Sequence, residues 1–83
     1  MLKKGLRMRW ESENEALLYD RDTAKLYKLN KTAGEIVEML IKGHSRRDVV
    51  REIVEKYGIS AEDAEKDLND LIENLRKMGL WND

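Results

Sequence analysis

Eighty-three residues make one domain, because a chain this short cannot divide its apolar side chains between two cores. With 41% hydrophobic and 40% charged residues, 16 basic against 17 acidic, it is too apolar for a disordered tail and too balanced for a general polyanion binder. Cysteine is absent, which excludes disulfides, thiolate metal sites and thiol catalysis, and a single histidine, His44, argues against a histidine-ligated zinc site or a Ser-His triad. No apolar run approaches the ~18 residues of a membrane span. Met1-Leu2-Lys3-Lys4-Gly5 lacks the apolar stretch that follows the charges of a secretory signal, so the cytoplasm is the expected compartment.

Leu6, Met8 and Trp10 alternate with Arg7 and Arg9, the two-residue period of a half-buried strand over 6–10. The apolar run Ala16 to Tyr19 opens a central strand over 16–20. A third, over 25–29, places Tyr27 and Leu29 on one face and Leu26 and Lys28 on the other. Short polar segments join them, so three antiparallel strands in a meander are predicted.

Beyond Asn30 the period becomes helical. Thr32-Ala33-Gly34-Glu35 has the form of a capping box, with Asn30 a competing N-cap, and Ile36, Val37, Leu40 and Ile41 follow; this predicts a helix over 32–42. Ser45 opens a second helix over 45–57, closed by Gly58. Ser60 opens a third over 60–78, with Ala64, Leu68, Leu71, Ile72, Leu75 and Met78 inward and Gly79 after it. Acids gather at its start and bases at its end, which complements the helix dipole. The predicted fold is α+β and winged-helix-like: a three-stranded antiparallel sheet followed by three helices. Neither half buries enough surface alone, so the helices must cover one face of the sheet. An outer strand is then left with unpaired backbone groups.

Taken in order, Leu17-Leu18-Tyr19-Asp20, Leu29-Asn30, Thr32-Ala33, Gly43, Tyr57-Gly58, Asp67-Leu68 and Gly79-Leu80 form a pattern spanning about three quarters of the chain. This pattern resembles the PqqD-like family, the stand-alone recognition elements of ribosomally made, post-translationally modified peptides. The turn before Leu-Asn looks at least as much like the lasso-peptide members as the pyrroloquinoline quinone members; Leu68 stands where Val is more usual. The resemblance implies a peptide-binding role without chemistry or cofactor of its own. The leader segment of a precursor peptide would add as a strand to the third strand, be clamped by the third helix, and pass to a separate maturation enzyme, a radical SAM enzyme or a leader peptidase. No nucleic acid or membrane partner is implied.

The residues themselves agree with that role. An exposed edge offers N–H and C=O groups that an extended peptide satisfies, and pockets beside it give specificity. With Lys25, Leu26, Tyr27, Lys28 and Leu29 as the edge, the facing helix side is read as Ala64, Asp67, Leu71, Asn74 and Met78, spaced at three and four residues. Leu71 and Met78 suit apolar leader groups, Lys25 and Lys28 carboxylates, and Asp67 a cation. Blander roles stand beside these: edge lysines discourage aggregation, Asn30 caps a helix, and Leu68, Ile72 and Leu75 are core. The same open edge could also pair with a second copy of the chain as a homodimer.

The rival class is a winged-helix DNA-binding regulator, since Arg46, Arg47 and Arg51 give the second helix a basic side. The third helix, however, carries six acids, Glu62, Asp63, Glu65, Asp67, Asp70 and Glu73, which phosphates would repel. No Gly-rich phosphate loop or nucleophile–base set points to an enzyme.

Overall fold

A computed structural model describes residues 1–82. The chain runs β1 (Leu6–Trp10), β2 (Glu15–Asp20), β3 (Lys25–Asn30), α1 (Lys31–Ile41), α2 (Arg46–Tyr57) and α3 (Ala61–Lys77). Each predicted element is present, with its ends displaced by a residue at most. The sheet is antiparallel in the order β1-β2-β3, with Leu18 opposite both Met8 and Tyr27.

Alternation in the strands puts Leu6, Ala16, Leu18 and Leu29 on the inner face, where they are buried against Val37 of α1, Leu75 of α3 and Leu80. A second apolar cluster, Ile36, Val49, Ile53, Ala64, Leu68 and Ile72, sits among the three helices. Leu71 and Trp81 pack against both clusters and join them.

Ser45 and Ser60 cap α2 and α3 as predicted, each accepting a hydrogen bond from the N–H three residues on, at 3.1 and 3.0 Å. α1 differs from the capping box read at Thr32. Its N-cap is Asn30, whose extended backbone ends β3 and whose Oδ1 accepts from the Ala33 N–H at 2.9 Å. The helix thus starts directly from the strand. Glu35, freed from capping, instead accepts from Lys56 Nζ at 2.7 Å and Tyr57 Oη at 2.6 Å, tying α1 to α2. Desolvation is the largest influence on the Glu35 carboxyl and pushes it up, but the two bonds together with the charges of Lys56 and Lys31 hold it below its ordinary value.

Gly34 lies buried in the first turn of α1, where a Cβ would stand 2.8 Å from Trp10 Cη2 and 3.1 Å from Ala16 Cβ. Helix and sheet are in close contact here. At the other end of the molecule Gly79, with φ +78°, turns the chain back after α3 so that Leu80 enters the core. Residues 80–82 then pair with residues 1–3. Lys3 N–H donates to the Leu80 carbonyl at 2.8 Å, Asn82 N–H to the Met1 carbonyl at 2.7 Å, and Leu2 bridges to Trp81.

The start of β3 is fixed by Asp20, the buried charged residue of the sheet. Lys3 Nζ donates to its Oδ2 at 2.8 Å, the Asp22 N–H donates to its Oδ1 at 3.0 Å, and its carbonyl accepts from the Ala24 N–H at 2.8 Å. Its carboxyl is held below the usual aspartate value, first by the bond from Lys3, against the opposing cost of burial, and further by the Asp22 amide and the Thr23 hydroxyl. A lowered pKa stabilises the fold above the ordinary value of 3.8, and that stability is lost as pH falls through the lower folded value. The melting temperature should therefore drop steeply below about pH 4, and Asp20→Asn should flatten that drop while lowering stability at neutral pH. A variant with the native acid profile would remove Asp20 as its source.

Candidate functional site

The geometry of the free strand edge follows from the ladder. The Glu11 N–H donates to the Glu15 carbonyl at 2.9 Å, and the Arg21 N–H to the Gly5 carbonyl at 3.4 Å, continuing the β1–β2 ladder at both ends. Odd-numbered residues of β2 therefore turn their backbone groups to β1, and even-numbered ones turn theirs to β3. Opposite Ala16, Leu18 and Asp20 stand Leu29, Tyr27 and Lys25, which are thus committed to β2. Leu26 and Lys28 point their N–H and C=O groups away from the sheet. β3 is a terminal strand in the sheet order, so no strand takes them up.

Beside the C-terminal end of this edge lies a cavity of about 330 Å³ between β3, the first turn of α1, and α3. Asn30, Thr32, Ala33 and Ile36 form one wall; Asp67, Asp70, Leu71 and Asn74 form the other. Leu71 is half-buried, with its inner side in the core and its outer side in the cavity. An unsatisfied strand edge therefore runs alongside a wall that offers apolar surface, two carboxylates and two carboxamides.

Of the residues expected here, Asp67, Leu71 and Asn74 line the cavity, and Lys25, Leu26 and Lys28 stand exposed on the edge strand. Leu26 is 59% exposed, unusual for a leucine in a strand. Tyr27 is half-buried against the core, and the side chain of Leu29 is buried, so Leu29 offers the groove neither its side chain nor outward backbone groups. Ala64 is a correction: it is fully buried among Ile36, Leu68 and Ile72, because its position on α3 faces α1 and α2 rather than the gap. Met78, read as inward, is 41% exposed at the C-cap of α3 and is not among the lining residues. Thr32, Ala33, Ile36 and Asp70 were not anticipated. Asp70 was within reach of the helical period, three residues from Asp67; Thr32, Ala33 and Ile36 were not, since only tertiary packing brings α1 opposite α3.

Other depressions on the surface are of different kinds. One of about 160 Å³ lies between α1 and α2, next to the paired Glu35, Lys56 and Tyr57. Another, of about 340 Å³, lies on the outer face of the sheet around Leu17, Tyr19 and Leu26. Among the described residues no group of His, Cys, Asp or Glu is arranged to hold a metal ion, and no helix is long and apolar enough to cross a membrane.

An antiparallel three-stranded sheet backed by three helices, with a groove beside the open edge of β3, defines a small α+β recognition domain. The family model described as Coenzyme PQQ synthesis protein D (PqqD) matches residues 15–80, and the chain belongs to this family. Its fold is similar to that of "TbiB1 in Complex with the TbiA(beta) Leader Peptide", with a TM-score of 0.83, 20% identity, and coverage of 99% of this chain and 98% of that one. It is also similar to "Lasso peptide synthetase B1 complexed with the leader peptide", with a TM-score of 0.78, 29% identity, and coverage of 96% and 93%. No curated protein matches.

Proposed function

We propose that this protein binds the leader segment of a ribosomally synthesised precursor peptide by strand addition to β3 and delivers it to a separate modifying enzyme in the cytoplasm. The outward backbone groups of Leu26 and Lys28 beside the α3 cavity carry this reading. Membership of the PqqD family supports it, as do the two similar folds, both described as bound to leader peptides. Main-chain pairing supplies affinity, and the cavity wall at Leu71 supplies side-chain selection. The protein acts as a binding partner, and the chemistry belongs to the enzyme that receives the peptide, of the radical SAM or leader peptidase kind. Without a peptide, the same edge is open to a second copy of the chain.

The test is a titration with leader segments drawn from a display library, followed by amide chemical shifts. Binding should move the amides of Leu26 and Lys28 most, and Leu71→Asp should weaken it more than Lys28→Ala, because a buried contact outweighs an exposed charge. The reverse order would make charge, not the groove, the main determinant. Duplex DNA in parallel should leave these amides in place, since all six acids of α3 are exposed to solvent. DNA-induced shifts on α3 would favour the regulator reading.

A further inference from the structure

The β3 edge has opposite charge at its two ends. Asp67 and Asp70 line the cavity beside Asn30, at the C-terminal end of β3. The chain leaving α3 pairs with residues 1–3, whose Lys3 grips Asp20 opposite Lys25, so α3 runs from the Asn30 end of the strand toward the Lys25 end. Lys77 follows Asp70 by two helical turns on the same stripe and thus lies toward Lys25. Lys25, Asp67, Asp70 and Lys77 are all exposed. Among the described residues none of the four takes part in an ion pair; the pairs that form join Lys3 with Asp20 and Asp22, Arg9 with Glu11, Lys56 with Glu35, and Arg76 with Glu73.

Resting on the strand-addition reading above, we infer that the groove selects its peptide by charge order: a basic residue where the segment passes Asp67 and Asp70, and an acidic one where it passes Lys25 and Lys77. β3 spans about 17 Å from Lys25 to Asn30, so the two charges stand about five residues apart. Antiparallel addition is the slightly more stable pairing, and it puts the basic residue first. A backbone ladder by itself accepts any register and either direction. Charges fixed at two separated points remove that freedom, because a slip weakens both contacts and a reversal also sets like charges side by side. Each contact is weak in water, but the pair distinguishes segments that the main chain cannot.

The experiment is a selection of short randomised segments against the native protein and against a charge-reversed variant carrying Lys25→Glu, Asp67→Lys, Asp70→Lys and Lys77→Glu. All four positions are exposed, and circular dichroism checks that the variant folds. Segments enriched on the native protein should place a basic residue before an acidic one, and those enriched on the variant the opposite. Exchanging the two charges in a selected segment should weaken native binding by roughly tenfold at low salt and restore it on the variant. Enriched segments that move the Leu26 and Lys28 amides yet show no charge order, or the same order on both proteins, would overturn the inference and leave strand addition standing. If they leave those amides unmoved, or nothing is enriched, both readings fall.

Discussion

Leu26→Pro is expected to abolish peptide binding while leaving the melting temperature close to native. Leu26 turns its N–H outward, so proline there removes no bond to β2 and meets the tolerance that edge strands show for this residue. An added peptide, in contrast, loses a ladder hydrogen bond and meets the ring where its own carbonyl should approach. An unmade bond at that position costs about 1–3 kcal/mol, a loss of roughly tenfold to a hundredfold before the steric term is counted. Tyr27→Pro is the control. Tyr27 directs its N–H to Leu18 in the centre of the sheet, so the same substitution one residue on should unfold the protein. Calorimetric titration with a selected leader segment and a thermal melt decide the matter. Retained affinity in a folded Leu26→Pro protein would sink the edge assignment.

Gly34→Leu is expected to cost about 3 kcal/mol or more, a large part of what a domain this size holds in reserve. On helix propensity alone the change should gain about 1 kcal/mol. Packing reverses the sign: the Cβ would sit 2.8 Å from Trp10 and 3.1 Å from Ala16. Trp10 has little room to yield, because its indole N–H reaches Glu38 at 3.3 Å. Gly34→Ala should show the same effect at smaller size. Melting curves read this directly, and a Leu variant as stable as the native protein would mean that Trp10 swings out freely. The same turn carries part of the groove, since Thr32 and Ala33, just before Gly34, line it.

Gly34 also marks where reading the chain in one dimension ran out. Periodicity located every strand and helix, because the alternation of Leu6, Met8 and Trp10 and the stripe of Leu68, Leu71, Ile72 and Leu75 each obey one local rule of burial. The Ser45 and Ser60 caps obey another, a side-chain oxygen three residues before an unpaired amide. Thr32-Ala33-Gly34-Glu35 satisfied the same local rule and was not used, because Asn30 already ended β3 in the conformation a cap requires. At the site, Asp67, Leu71 and Asn74 followed from helical spacing, whereas Ala64 satisfied that spacing and is buried all the same. Spacing fixes which residues share a side of a helix, but not how wide the gap facing that side is. That width depends on how closely α1 approaches the sheet.

The pairing of residues 1–3 with residues 80–82 has a further consequence. Residues 1 and 82 therefore lie at one place on the domain, joined by main-chain bonds. A domain closed in this way can be spliced into a surface loop of a larger enzyme without stretching either junction, or opened at the polar 11–14 connection and resealed as a circular permutant. Recognition and catalysis could then travel on one polypeptide or on two with no change to the groove itself.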